Sequence, residues 1–161
     1  MYNLCPHFRN LKDDQIEAIK KSKGLIGLNP YPFFIEKSFK ERESKERNKY
    51  IDELNSIERK YSNKTSQWIA KQHFLQKKLA DICPSIEVFV DHIEYVINQI
   101  GIDYVGIGSD YDGLDCLPHS WNDCLDHMII QESLEKRGYK YLEIEKIMGK
   151  NILRVLEEIY N

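Results

Sequence analysis

One short stretch of the sequence constrains the fold more than any other: residues 101–113, which read GIDYVGIGSDYDG. Val105 and Ile107 alternate with glycines, which suits a strand that is buried on both faces of a parallel sheet. The run ends in an Asp-Gly turn, so Asp110 and Asp112 follow the carboxyl end of this strand. Parallel sheets carry their chemistry at that edge, so the stretch predicts an α/β fold with a functional site there.

A second strand is predicted at residues 24–29, where a compact apolar run ends at Pro30 and Pro32. A helix with an acidic start and a basic end precedes it at 13–21. A broad apolar face predicts the clearest helix, at 85–100, which should pack on the strand at 104–108. The remaining predicted helices are 123–136, 141–148 and 152–160, punctuated by Gly138 and Gly149.

Residues 36–78 form a long charged region in which acids and bases alternate at helical spacing. This pattern predicts exposed helix, with one apolar stripe docked on the protein and the opposite face in water. We interpret the charges as a solvated face and assign them no role in nucleic-acid binding. The stripe consists of Tyr50, Ile51, Leu54, Ile57 and Tyr61.

Two strands and about six helices are too few elements for a complete barrel or a doubly wound sheet. A pair of parallel strands cannot close, and it leaves unpaired edges and apolar faces that need cover. We therefore expect the chain to bind a partner, to associate with itself or to be part of something larger.

Composition excludes several classes of function. The net charge of -3 over 161 residues provides no broad attraction to nucleic acid or to an anionic membrane. No apolar run approaches the roughly 20 residues that cross a bilayer, and the first residues do not resemble a secretory signal. The four cysteines form no C-x-x-C motif, so free thiols and a cytoplasmic location are expected. Small molecules and proteins remain as partners.

Asp110 and Asp112 are candidates for a metal ligand or a general base, because a carboxylate at a strand end can bind a cation or accept a proton from water. The alternative is an ordinary Asp-Gly turn whose carboxylates cap local amides. A calcium EF-hand is excluded, because it would need glycine at Asp115 and glutamate at Trp121. Ser109 has no neighbouring base and no G-x-S-x-G motif, so a serine hydrolase is not predicted.

The five histidines give no preformed metal site, because none forms an H-x-D or H-E-x-x-H motif or a close pair. His92 is expected to be a packed or surface residue rather than a ligand, and His73 to be exposed. Arg9 lies in the loop CPHFRNL ahead of the first helix. A loop arginine can clamp a carboxylate with its planar guanidinium; the alternative is an ordinary surface ion pair.

Four segments, taken in order, resemble the carboxyl-terminal part of the membrane dipeptidase (renal dipeptidase) family of zinc peptidases. They are CPHFRNLKDDQIEAI, GLIGLNPYPFFI, IEVFVDHIEYVINQIGIDYVGIGSDYDG and LEKRGYKYLEIEKIMGKNILRVLEEIY. The resemblance covers nearly the whole chain except residues 36–83, which we interpret as a charged helical insertion.

The resemblance implies the last two βα units of a (β/α)8 barrel, in one partial domain at 1–161 with strands seven and eight at 24–29 and 104–108. It implies hydrolysis of dipeptides with two zinc ions. Asp110 falls on the family's aspartate beside the metals, which accepts the proton of the attacking water and contacts the substrate. Arg9 falls on the arginine that binds the terminal carboxylate of the dipeptide.

The family's H-x-D motif, bridging glutamate and two strand-end histidines have no counterpart in this sequence. Met1 falls just after the sixth-strand S-H-S motif of the family. We therefore expect a carboxyl-terminal fragment that lacks a complete metal site, is inactive alone, and associates with the missing amino-terminal part of the barrel or with itself. Ser120 replaces a glycine that is usual in the family. The rival hypothesis is a non-catalytic helical interaction or scaffold protein derived from a dipeptidase.

Overall fold

The computed structural model of the protein describes residues 1–160 and contains two short parallel strands. β1 is Ile26–Leu28 and β2 is Val105–Ile107, and they pair with Ile26 opposite Val105 and Leu28 opposite Ile107. Both strands lie inside the predicted runs and are shorter than them. The predicted α/β class and the parallel arrangement of the strands are confirmed. The predicted domain spans 1–161, and its last position lies outside the described residues.

Nine α-helices surround the two strands within residues 1–160. They are α1 Asp13–Lys21, α2 Pro32–Ile35, α3 Phe39–Asn48, α4 Ile51–Lys60, α5 Lys64–Leu79, α6 Ile86–Ile100, α7 Met128–Lys136, α8 Tyr141–Glu145 and α9 Asn151–Tyr160. Short 3₁₀ turns lie at Ala80–Ile82, Ile102–Tyr104 and Cys124–His127, so the first turn of the helix predicted at 123–136 is 3₁₀ rather than α. None of the described helices is both long and apolar enough to span a bilayer.

Local sequence explains where several helices begin and end. α5 begins after Asn63, whose side-chain oxygen accepts a hydrogen bond of 2.7 Å from the backbone N–H of Ser66. α6 ends at Gly101 with φ 99°, and α7 is followed by Gly138 with φ 91°; this left-handed conformation favours glycine. Pro32 occupies the first position of α2, where its missing N–H costs nothing.

The predicted break at Gly149 is confirmed as a kink, because its φ of 173° and ψ of -31° are non-helical. A π-helical segment, Lys146–Lys150, bridges α8 and α9 across this kink. The Asn151 side chain donates hydrogen bonds of 2.7 and 2.8 Å to the carbonyls of Ile102 and Val105, which fixes the start of α9 against β2. The side chain of Ile152 also packs so closely on Gly106 that a Cβ there would lie 3.3 Å from it. These contacts with the strand therefore fix the direction of α9 after the kink.

The main core lies between the strands and the helices that flank them. α6 packs against β2, as predicted, and also against α1 and α7. Its fully buried residues include Phe89, Val90, Ile93 and Val96, which meet Val105 of β2 in one continuous apolar cluster. We call residues 1–35 and 84–160 the body of the molecule.

The charged region forms three separate helices, α3 to α5, that share a second, smaller core. This core contains Phe39, Leu54, Leu75 and Leu79 together with Cys83 and Cys116. Of the predicted apolar stripe, Leu54 is buried but Ile51 is half exposed, because α4 begins at Ile51 and its first turn projects into solvent. We call residues 36–83 the insertion.

Candidate active site

The carboxyl ends of β1 and β2 meet at a polar pair. The side-chain N–H of Asn29, which follows β1, donates a hydrogen bond of 2.9 Å to Oδ2 of Asp110, which follows β2. The side-chain oxygen of Asn29 also accepts a hydrogen bond of 2.8 Å from the backbone N–H of Tyr31. The Asn29 amide is therefore fixed at both ends and orients the Asp110 carboxylate at the strand edge.

The turn that carries Asp110 has a special backbone. Asp110 and Asp112 have φ values of 52° and 63°, in the left-handed region that aspartate tolerates better than most residues. A Cβ at Gly113 would lie 2.5 Å from Oδ1 of Asp110, so only glycine leaves room for this carboxylate. The Asp110 carboxylate is thus presented at the strand edge by the Asp-Gly turn itself.

Arg9 lies in an exposed loop beside the same strand. Its guanidinium is 5.4 Å from the centroid of the Phe34 ring, in a cation–π arrangement. Arg9 and Asn29 line one cleft of about 150 Å³ along β1. Asn10 holds the loop in place by donating hydrogen bonds of 2.8 and 2.7 Å to the carbonyls of Cys5 and Phe34. Asn29 thus shares a cleft with Arg9 and a hydrogen bond with Asp110.

Three histidines that the sequence raised as candidates occupy different places in the structure. Desolvation and the nearby Arg9 guanidinium lower the pKa of His7, whose Nδ1 lies 3.2 Å from the Arg9 backbone N–H and accepts from it. His92 is buried, as one of the predicted alternatives had it; its Nε2 is 3.1 Å from the Ile35 carbonyl, and burial lowers its pKa to about 4. His73 is exposed on α5, as predicted.

The loop that carries Asp110, residues 109–123, is held by contacts from both the body and the insertion. We call it the acidic loop. Tyr31 donates a hydrogen bond of 3.1 Å to Oδ1 of Asp115, and the Arg47 guanidinium contacts Oδ2 of Asp115 at 2.7 Å. Burial and the neighbouring Asp115 raise the pKa of the Tyr31 phenol. Arg47 of α3 also pairs with Glu43, which is buried.

Asn29, Tyr31 and Arg47 were missed in the sequence. The available signal for Asn29 was its position directly after an apolar run and before a proline, where a strand-end side chain can face a neighbouring strand end. Ser120 has φ 68°, the left-handed conformation that favours glycine, so this position of the acidic loop has the geometry expected of a glycine site.

Within residues 1–160, no three His, Cys, Asp or Glu side chains come together in a way that could hold a metal ion. Among these residues Asp110 has Asn29 as a hydrogen-bond donor and belongs to no such group of three. The described residues therefore do not fit a metal centre by themselves, and we derive no chemical step through a metal.

A sequence model described as membrane dipeptidase (peptidase family M19) matches residues 1–161. Dipeptidase aclJ of Aspergillus oryzae is 28% identical over 158 residues, which are 98% of this chain and 28% of that protein. Dipeptidase ataJ of Aspergillus terreus is 43% identical over 70 residues, which are 44% of this chain and 17% of that protein. The chain thus spans less than a third of the length of these relatives.

Solved structures show a related fold. A metallo peptidase from Rhodobacter sphaeroides, solved with a phosphinate mimic of the dipeptide L-Ala-D-Ala, superposes with a TM-score of 0.66 at 22% identity. The superposition covers 97% of this chain and 33% of that one. The probable dipeptidase PvdM from Pseudomonas aeruginosa gives a TM-score of 0.63 at 24% identity, covering 94% of this chain and 41% of that one.

Proposed function

This chain belongs to the membrane dipeptidase family, peptidase family M19, and from that premise we propose that it forms part of a zinc-dependent enzyme that hydrolyses dipeptides. In this proposal residues 1–161 supply the last two βα units of a (β/α)8 barrel. They contribute Asp110 as the acid/base and substrate contact and Arg9 as the carboxylate clamp. The dipeptidase relatives and the related folds of the solved metallo peptidases support this proposal.

The single observation that carries the proposal is the hydrogen bond between Asn29 and Asp110. It fixes a carboxylate at the joint carboxyl edge of two paired parallel strands, where barrel enzymes place their reacting groups. The hydrogen bond from Asn29 engages Oδ2 of Asp110. In this proposal Oδ1 of Asp110 accepts a proton from the attacking water and returns it to the leaving amine. An ordinary turn carboxylate would need no such cross-strand donor.

Arg9 is suited to the opposite end of a dipeptide. Its guanidinium rests on the exposed face of Phe34, and among the described residues it forms no salt bridge. A planar fork held by an aromatic ring is available to bind the two oxygens of a terminal carboxylate. Arg9 shares its cleft with Asn29, the residue that donates a hydrogen bond to Asp110.

Further polypeptide is needed to complete this enzyme. The two-stranded sheet has an open edge on each strand, and α9 exposes Leu153, Leu156 and Ile159 along one side. We propose that the rest of the barrel pairs with these edges, covers α9 and provides the zinc ligands. The share of the solved chains that this one covers, 33% and 41%, fits that role.

The test is to express the chain together with the coding sequence immediately upstream of Met1, supply zinc, and measure hydrolysis of L-Ala-L-Ala. Turnover that a chelator abolishes and zinc restores is the expected result. Residues 1–161 expressed alone should give only background turnover. Robust hydrolysis by the chain alone would refute the proposed division of the site, and no turnover by the longer protein would refute the activity.

Arg9→Met sharpens this test. Loss of a charge-assisted contact to the substrate carboxylate should raise KM by about tenfold with a smaller change in kcat. The matched control is Lys12→Met, which removes one positive charge from a residue close to Arg9 in the sequence. This variant should leave KM within about twofold of the parent value. An unchanged KM in Arg9→Met would remove Arg9 from the site.

A further inference from the structure

A cavity of about 490 Å³ lies between α5 of the insertion and the acidic loop. This is within the usual size of small-molecule sites, about 300–1,000 Å³. Trp68 and Ile69 line it from α5, and Leu114 and Leu117 line it from the loop. Trp68 and Ile69, which are neighbours on α5, are nearly half exposed, and exposed apolar patches often mark binding sites. The cavity therefore offers an apolar surface that the body and the insertion do not themselves cover.

One buried polar atom in this cavity lacks a partner. The side-chain oxygen Oε1 of Gln72, on the α5 wall, is inaccessible to solvent and accepts no hydrogen bond from any described residue. Buried acceptors nearly always have a hydrogen-bond donor, because an unpaired acceptor loses its hydrogen bonds to water and gains none from the protein. A ligand with an N–H group would satisfy it.

The charges of the wall have one sign. The carboxylates of Asp112 and Asp123 both line the cavity, and its described lining contains no lysine or arginine. No described residue forms a salt bridge with Asp112. The carboxylates favour a positively charged group at the mouth, while the apolar side chains favour an aromatic or aliphatic body.

We propose that this cavity binds a small apolar amine, with its hydrocarbon body against Trp68 and Ile69 and its ammonium group facing Asp112, Asp123 and Gln72. The site is separate from the pair formed by Asn29 and Asp110, although Tyr111 and Asp112 of its wall follow Asp110 directly in the chain. Binding here needs neither a metal nor a completed barrel, since every wall belongs to this chain. The proposal thus stands or falls independently of dipeptide hydrolysis.

The test uses two nearly isosteric probes, 2-phenylethylamine and 3-phenylpropanoate, titrated into the chain by calorimetry and followed by tryptophan fluorescence. The amine should bind saturably, and the carboxylate should bind at least about fivefold more weakly, because the lining carboxylates repel it. The fluorescence response should disappear in Trp68→Phe, which leaves the buried Trp121 in place. No saturable binding of the amine, or equal affinity for both probes, would overturn the proposal.

Three variants locate the ammonium group. Asp112→Asn and Gln72→Leu should each weaken the binding of 2-phenylethylamine by about threefold to fivefold, because each removes one partner of the ammonium. Asp52→Asn, which removes the same charge from exposed α4, is the matched control and should bind as the parent does. If Asp112→Asn and Gln72→Leu both bound the amine as tightly as the parent, the cavity would not be its site.

Discussion

The body and the insertion are held together by different interactions, although they belong to one chain. In the body, apolar side chains of α1, α6, α7 and both strands form one continuous cluster. In the insertion, three charge-rich helices share a smaller core, which also contains Cys116 of the body, and they form ion pairs such as Arg42–Glu36 and Arg47–Asp115. Because apolar burial contributes most of the stability of a domain and surface ion pairs contribute little, we expect the insertion to open before the body does.

The largest expected effect compares two fully buried phenylalanines. Phe89 of α6 packs against Trp121 in the body, with ring centroids 5.7 Å apart, and Phe39 of α3 lies in the insertion core. Phe89→Ala should lower the free energy of unfolding by about 3–5 kcal/mol and reduce protection throughout the chain. Phe39→Ala should release the amides of residues 36–83 in hydrogen exchange while the body stays protected. Equal loss of protection in both regions would mean that they form a single cooperative unit.

A smaller effect is expected where the insertion braces the acidic loop. Arg47→Met leaves Asp115 and the buried Glu43 without their cation, which should cost about 1–3 kcal/mol in a urea titration. The matched control is Lys45→Met, which breaks the exposed pair with Glu41 and should cost less than about 0.5 kcal/mol. If the two variants lost similar amounts of unfolding free energy, the ion pairs of Arg47 would stabilise the chain no more than an exposed surface pair does.

The smallest effect is a pH dependence of the insertion. Hydrogen bonds from Arg42 lower the pKa of Glu36 in the folded chain. A carboxyl group with a lowered folded pKa stabilises the chain above its unfolded pKa of about 4.3, and this contribution is lost as the pH falls through the folded value. The difference in unfolding free energy between the parent and Glu36→Gln should be below about 1 kcal/mol at pH 7 and should vanish toward pH 3. A difference that grew on acidification would contradict this sign.

Sequence predicted the body better than the insertion, for a physical reason. Long apolar faces such as that of α6 repeat at helical spacing, and buried strands stand out between glycines, so both predict their structure locally. In the insertion the apolar residues are sparse, and the breaks near Lys49 and Tyr61 depend on how three helices pack around Phe39 and Leu54. One charged run therefore could not be divided into helices in advance.

The candidate site shows the same limit. Asp110 could be singled out because it directly follows a buried strand, but Asn29 lies 81 positions away and becomes its partner only when the strands pair. Gly149 predicts the kink between α8 and α9, but the hydrogen bonds from Asn151 to carbonyls beside β2, which fix α9 after the kink, follow from no local pattern. Both hydrogen-bonded contacts join residues that are far apart in the sequence, so they depend on the tertiary fold rather than on local residue patterns.

The most direct test of the central claim, that Asp110 is the reacting carboxylate, compares two aspartates of one turn. Both have left-handed backbones that asparagine tolerates, so Asp110→Asn and Asp112→Asn are matched replacements. In the longer zinc-loaded protein, Asp110→Asn should lower kcat for L-Ala-L-Ala by about 100-fold or more, whereas Asp112→Asn should change it by less than about threefold. A kcat that survived in Asp110→Asn, or that fell equally in both variants, would contradict the account.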